Sequence, residues 1–403
     1  MPKGFFFGSD LKKSTKPVPT VPYCGACGLH KHCHSPKMKA KGKGRKKILL
    51  IGDMPSSSDD DRGAHFTGKT GEFLRRKFRK YGVSIDTETV KTNAIICHNP
   101  KGVDESQIEH CRPNLIRTVE RFNPEVIIPF GTAAVSALLG HYWKNDVGSI
   151  NRWAGFRIPF QKLNAWVCPT FHPDVVRKED PKRSVTELLF DRHLEEALDL
   201  DGRPWNPVPD YKSQITVIHD PTVAAKRIRW IVRQGGLCAW DYEANMLKPD
   251  GSRARIVSCS ICWEGKRTIA YPWKGEAITA TQEFLKSPLP KIASNLKFED
   301  RWTRTKLGHG VRNWAWDTML AAHITDNRPG ITSIKFQSMV WLGSESWNEH
   351  IEPFLRSNSS QDANAILREI SPDDLLLYNG LDSLLEFLVA IKQMEYLKHE
   401  RPN

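Results

Sequence analysis

The sequence predicts an α/β protein built as two domains, on three observations. The chain has 403 residues, about the length of two ordinary domains. Short apolar bursts ending in Gly or Pro alternate with stretches of helical spacing, the pattern of sheets covered by helices. That alternation is interrupted near residue 200 by DLDGRPWNPVPDYK, which reads as a linker. The expected boundaries are a flexible basic lead-in over 1–22, a first domain over 23–200, a linker over 201–212 and a second domain over 213–403.

The elements follow in chain order. KKILLIGDMP is an apolar run closed by Gly and Pro, hence a buried strand feeding a loop. GEFLRRKFRKYG and ESQIEHCRPNLIRTVERFNP carry apolar residues at helical spacing. EVIIPFGTAAV and NAWVCPTFHP read as two further strands. The second block opens with the strand SQITVIHD and the helix DPTVAAKRIRWIVRQGG, stopped by its Gly pair. LCAWDYE is a strand, RARIVSCSICW and KRTIAYPW are paired antiparallel strands, and PKIAS is another strand. The last helix is signalled by a Ser371 cap, Pro372 in the first turn, and Asp373 and Asp374 against the dipole.

Composition narrows the function. Hydrophobic residues make up 39%, and no apolar run approaches the ~20 residues of a membrane-spanning helix. No secretory leader is legible at the N-terminus, so the expected location is the cytoplasm, without a membrane partner. The net charge is +13, and residues 1–50 hold twelve Lys/Arg against one acid. The densest part, KMKAKGKGRKK over Lys37–Lys47, reads either as a solvated, flexible basic arm or as a phosphate-binding segment, the latter expected because the other motifs point to DNA. Nine cysteines without a secretory signal point away from disulfides and toward ligation.

Three acidic motifs stand out in the second block. Asp241 and Glu243 end an apolar strand and share one face of it. Glu299 and Asp300 follow Asn295-Leu296-Lys297-Phe298. Tyr378 and Asp382, in YNGLD, are one helical turn apart. Taken singly, each is a pattern that surfaces and helix packing produce. Together they offer carboxylates from separate elements to a pair of hard cations, Mg²⁺ or Mn²⁺. In this order they resemble the DEDDy proofreading exonuclease domain of family-A DNA polymerases, ribonuclease-H-like (DnaQ-type) in fold, over residues 213–395. The resemblance implies a 3′→5′ exonuclease acting on DNA with single-stranded 3′ ends. Asp241, Glu243, Glu299 and Asp382 would be the metal ligands, and Tyr378 would position water. The family has Asp where this chain has Glu299, which leaves Asp300 as the alternative ligand. Asp317, in WDTMLAAHI, is expected to be structural. The chain stops where the family's polymerase domain would begin, so the expectation is either a stand-alone exonuclease working beside a separate polymerase or a part of a longer polymerase, with the former favoured.

In the first block, Cys24-Gly25-Ala26-Cys27 and the downstream pair Cys97 and Cys111 offer four thiolates to a [4Fe–4S] cluster or to Zn²⁺. The surroundings resemble family-4 uracil-DNA glycosylases, a three-layer α/β/α fold, over residues 20–195. The matching motifs are Gly52-Asp53-Met54-Pro55-Ser56, Phe66-Thr67-Gly68-Lys69-Thr70-Gly71, Thr92-Asn93 and His172-Pro173. The resemblance implies an iron–sulfur cluster on Cys24, Cys27, Cys97 and Cys111, with Cys33 extra to the pattern. Asp53 would activate water or stabilise the sugar cation, Phe66 would stack on the flipped base, Asn93 would bond its edge, and His172 would polarise the uracil carbonyl. The chain departs at Asp53, where the family has Glu, and at Ser56, where it has Gly. The acids of SSSDDDRG and Asp174 are expected to sit badly near phosphates. A fusion of this kind suits bacteriophage DNA replication or repair. The competing expectations are a non-catalytic DNA-binding or polymerase accessory protein, and a bifunctional enzyme that excises uracil and trims the strand.

Overall fold

A computed structural model describes residues 22–143, 146–179, 184–347 and 370–399. Most of the expected lead-in therefore lies outside the described residues. The chain divides into two compact units, 1–206 and 207–403.

The elements of the first unit are β1 (Ile48–Gly52), α1 (Ser57–Arg62), α2 (Lys69–Arg79), β2 (Thr89–Asn93), α3 (Glu105–Phe122), β3 (Val126–Pro129), α4 (Gly131–Leu139), α5 (Ile150–Trp153), β4 (Ile158–Phe160), β5 (Ala165–Val167), α6 (Pro173–Lys178) and α7 (Val185–Leu198). The sheet order is β2-β1-β3-β5-β4, parallel except for β4. All five residues of β1 are buried, as in a sheet covered on both faces. Ile48, Leu50, Val126 and Ile128 pack with Phe73, Leu74 and Phe78 of α2 and Phe190 and Leu194 of α7. Leu49, Ile51 and Ile127 alternate to the other face and are equally dry. EVIIPFGTAAV, read as one strand, is a strand that turns at Phe130 into α4. Apolar content alone does not separate the two. β2, β4 and α7 were not legible in the sequence.

The stretch read as a linker is partly docked on the first unit. Arg203 donates to the carbonyl of Asn164 at 2.9 Å and to Asn123 Oδ1 at 2.9 Å, and the Trp205 indole donates to the carbonyl of Pro159.

The second unit holds β6 (Ile215–Val217), α8 (Pro221–Gln234), β7 (Cys238–Ala244), β8 (Ile256–Trp263), β9 (Arg267–Pro272), α9 (Glu276–Lys286), β10 (Lys291–Ala293), α10 (Leu296–Leu307), β11 (Trp314–Asp317), α11 (Thr318–Thr325), α12 (Ile334–Leu342) and, after the undescribed stretch, α13 (Pro372–His399). Its sheet order is β11-β10-β7-β8-β9-β6, with β8 antiparallel to its neighbours. The five contiguous strands β11-β10-β7-β8-β9, with only β8 antiparallel, have the order and direction of the expected ribonuclease-H-like sheet, and β6 adds a parallel edge strand beside β9. On β7, Trp240 and Tyr242 enter the core shared with α8 and α9, while Ala239 packs with Leu384 and Phe387 of α13. The period of two thus turns Asp241 and Glu243 toward α13. Gly380 lets α13 come close, since a Cβ there would lie 2.5 Å from Ile215 Cγ2.

Candidate functional site

Asp241 and Glu243 of β7 meet Asp382 of α13, with ligand oxygens all within 4.8 Å of one another. Burial, and then mutual repulsion, push the Asp241 and Glu243 carboxyls well above the usual carboxylate range. Burial raises Asp382 too, although Lys335 and hydrogen bonds from Trp347 and Tyr378 oppose it. At such separations each ionised pair costs roughly 3–4 kcal/mol in a medium of effective dielectric about 20. Only protons or cations can relieve this. All the donors are hard oxygens, the set that suits Mg²⁺ or Mn²⁺.

Two further groups frame this cluster. Glu299, one turn into α10, is 3% exposed, and its Oε2 is buried with no hydrogen-bond partner among the described residues. Its carboxyl is raised by burial and by the nearby Asp241. Asp300 is committed elsewhere: Oδ1 accepts from Val311 N at 2.9 Å and Oδ2 from Arg304 Nε at 2.5 Å. Tyr378 lies one turn before Asp382 and takes a hydrogen bond from Lys335 Nζ at 3.3 Å. Asp317 caps two segments, accepting from Asn295, Leu296, Met319 and Leu320 backbone N–H groups, which accounts for its structural reading.

Several partners were missed from the sequence. Asn379, fully buried, donates to Asp241 Oδ2 at 2.8 Å. Ser258 donates to Asn379 Oδ1 at 3.0 Å and Ser260 to its carbonyl at 2.7 Å. The signal was present: two serines at i and i+2 of an apolar strand, paired across the ladder with Glu243 and Asp241. Trp347 Nε1 donates to Asp382 Oδ1 at 2.8 Å. Glu386, one turn beyond Asp382, is a further acid, 3% exposed, raised by burial and by its acidic neighbours.

In the first unit, the parallel strands deliver Asp53, Asn93 and Gly131 to one carboxyl edge, where open α/β sheets bind ligands. His172 follows β5 at the same edge. Its Nε2 lies 3.9 Å from Asp53 Oδ2. The two side chains meet over Gly131 (φ 82°), where a Cβ would lie 3.0 Å from His172 Cβ and 3.1 Å from Asp53 Oδ1. Burial raises the Asp53 carboxyl, against the attraction of His172 and a bond from Ala134 N. Phe66 is held at φ 56°, and a Cβ on Gly71 would strike its carbonyl oxygen at 1.7 Å.

Two of the three consecutive acids, Asp59 and Asp60, turn inward, contrary to expectation, while Asp61 stays exposed. Asp59 accepts from Ser56 N at 3.0 Å and Thr67 N at 2.6 Å, and Asp60 from Ser35 N at 2.8 Å. Burial would raise Asp174, yet Lys178, Arg177 and Thr70 together hold it at about 2.

The cysteines lie in a second cluster. Cys97 and Cys111 are buried, Cys27 and Cys33 half-buried, and Cys24 exposed. Burial pushes Cys97 up to about 12, with Cys33 and Cys111 adding to it, and Cys111 to about 11, with Cys27 and Cys24 adding. The Lys37 N–H points at Cys97 Sγ at 3.3 Å. Thiols that oppose one another's ionisation, two of them buried, fit a cationic group of soft-donor preference.

The first crevice defines a protein class: residues 40–195 match the uracil DNA glycosylase superfamily. A type-4 uracil-DNA glycosylase of Saccharolobus solfataricus is 30% identical over 183 residues, which are 43% of this chain and 82% of that one. One of Thermotoga maritima is 27% identical over 172 residues, 41% of this chain and 86% of that protein. The chain belongs to the type-4 uracil-DNA glycosylase family, its superfamily match lying within the first unit. A DNA polymerase of Bacillus phage SP01 is 24% identical over 327 residues, 72% of this chain but 34% of the polymerase. Among solved structures, Escherichia coli RNase D aligns with a TM-score of 0.36 and 12% identity over 46% of this chain and 45% of its own. Brucella melitensis NrnC aligns with a TM-score of 0.32 and 17% identity over 41% and 76%. Among the described residues no helix is long and apolar enough to cross a membrane.

Proposed function

We propose that the second unit is a 3′→5′ exodeoxyribonuclease using two divalent cations, fused to an iron–sulfur, glycosylase-like DNA-binding module. The module would occupy about residues 23–200 and the nuclease 213–403. The single observation that carries the reading is the approach of Asp241, Glu243 and Asp382 within 4.8 Å. A DNA-binding surface without metal would gain by losing these acids, because each repels phosphate. Asp241, Glu243, Glu299 and Asp382 would hold Mg²⁺ or Mn²⁺. When bound, such ions lower the pKa of water and stabilise the leaving oxygen of an in-line displacement.

The chain's own residues prepare the site. Asn379 orients Asp241, and Ser258 fixes which end of the Asn379 amide faces it. Trp347 holds Asp382 from the other side. Lys335 donates to the Tyr378 oxygen, leaving the Tyr378 O–H free to donate toward Asp382 or a water beside it. With Asp300 tied to Arg304 and Val311, Glu299 is the third carboxylate. Digestion of an end-labelled single strand with Mg²⁺ or Mn²⁺ tests the assignment: wild type shortens the strand from its 3′ end, and Asp241→Ala does not. Equal digestion by both, or by neither, removes it.

Cys24, Cys27, Cys97 and Cys111 would carry a [4Fe–4S] cluster, with visible charge-transfer absorption as its readout. The basic segment and both sites suit DNA as partner, with a 3′ single-stranded end at the second unit and a separate polymerase supplying synthesis, as in phage replication or repair in a host cytoplasm.

A second reading rests on the facing of Asp53 and His172 over Gly131: the first unit itself recognises uracil in DNA. Release of uracil in EDTA, where the nuclease is silent, tests it.

A further inference from the structure

At the floor of the first crevice, Asn93 is 2% exposed and touches a histidine that no expected motif contains. His65, also 2% exposed, sits directly before Phe66. Its Nε2 lies 3.0 Å from the backbone carbonyl of Lys39, and its Nδ1 lies 3.0 Å from Asn93 Nδ2. A carbonyl oxygen can only accept, so Nε2 must carry the proton. Burial lowers the pKa of His65, opposed in part by the Lys39 carbonyl and the Asp59 charge and assisted by Lys41 and Lys91, so the ring stays neutral. A neutral ring protonated at Nε2 presents a lone pair at Nδ1. Asn93 must therefore turn its NH₂ toward His65 and its Oδ1 away.

The far side of that amide faces the end of β1 and Phe66. A Cβ on Gly52 would lie 2.4 Å from Asn93 Oδ1 and 2.9 Å from Phe66 Cζ, so Oδ1 and the Phe66 ring both stand over the glycine that ends β1. Among the described residues no donor meets that oxygen. The amide thus offers a fixed acceptor, with the second N–H of its NH₂ group beside it.

We propose that His65 is the positioning residue that sets base choice in this crevice. By locking the Asn93 amide through a backbone carbonyl, it selects a base edge with an N–H donor next to a carbonyl, the imide edge of uracil. It rejects the reversed edge of cytosine, which presents a ring-nitrogen acceptor beside an amino group. The inference rests on the reading that the first unit recognises uracil. It adds that specificity is held by a residue that never touches the base.

The test uses the full chain in EDTA and DNA carrying one non-cleavable 2′-fluoro-deoxyuridine or 2′-fluoro-deoxycytidine opposite guanine. The readout is the ratio of the two dissociation constants for wild type, His65→Leu and His65→Gln. Wild type is expected to prefer uracil. His65→Leu frees the amide to flip and lowers the ratio roughly ten-fold or more, the worth of misaligned buried hydrogen bonds. His65→Gln, which can still donate to the Lys39 carbonyl and accept from Asn93, keeps most of the preference. An unchanged ratio in His65→Leu overturns the inference. Equal loss in both variants also overturns it, because His65 would then be a packing residue. A wild type without uracil preference removes the underlying reading as well.

Discussion

The two crevices treat a buried carboxylate in opposite ways. In the first unit, Asp53 faces the imidazole of His172, a group that can compensate its charge. In the second, Asp241 faces Glu243 and Asp382, groups that make its charge worse. The first is a carboxylate with a basic partner. The second is an unfinished electrostatic arrangement that divalent cations would complete. The same contrast runs through the surroundings: acids near the first crevice are engaged as caps and ion pairs, whereas Glu299 keeps a buried oxygen with no partner among the described residues.

The largest expected effect breaks the comparison at its root. Asp241→Ala should lower exonuclease turnover roughly a thousand-fold, the equivalent of several kcal/mol of lost charge stabilisation, measured as initial rates on an end-labelled strand. Asp53→Asn should leave those rates unchanged.

Cys111→Ser should abolish the visible cluster absorption and lower the melting transition of the first unit, read by absorbance and calorimetry, while the second unit's transition stays in place.

Asn379→Leu should weaken Mn²⁺ binding about 10- to 100-fold, as loss of a hydrogen bond to a ligand does elsewhere, measured by titration calorimetry. Unchanged Mn²⁺ affinity would mean that Ser258 and Asn379 serve packing alone.

The pH dependence sharpens the contrast without mutation. Asp86, held at about 2 by Arg75 and Lys91, and Asp174, also at about 2, lie below their ordinary 3.8. Their stabilisation is present above that value and lost as pH falls toward 2. Asp241, Glu243, Glu299, Asp382 and Glu386 are raised above ordinary values of 3.8 and 4.5. Here the folded state binds more protons, so metal-free stability is greatest below about 4 and declines as pH rises through the shifted values. Two calorimetric transitions should therefore move in opposite directions between pH 3 and 6, and Mg²⁺ should flatten the second. Parallel movement would show that the acid cluster is not electrostatically loaded.

The smallest effect separates neighbours. Asp300→Asn should change nuclease rate less than two-fold, since its contacts with Arg304 and Val311 are peripheral, whereas Glu299→Gln should cost about ten-fold or more. The reverse order would return the third carboxylate to Asp300.

Much of this architecture was legible in the chain. Apolar bursts with Gly and Pro punctuation located β1, β3, β5 and β7, because a strand buried on both faces leaves a composition that water would not tolerate. The i, i+2 pair Asp241 and Glu243, and the i, i+4 pair Tyr378 and Asp382, follow from the fixed periods of strand and helix. β2, with its sequence TVKTN, was not legible, because its polar side chains find partners only after the sheet forms. Tertiary structure alone decided which residues meet across distance: that Ser258 orients Asn379 onto Asp241, that Asp300 is spent on Arg304 while Glu299 Oε2 is buried with no partner among the described residues, and that the Lys39 carbonyl reaches Asn93 through His65. Local periodicity dictates which face a side chain occupies. Hydrogen-bond partners and shifted ionisation depend on what packs against that face, and this is set by chain topology over separations of up to more than a hundred residues.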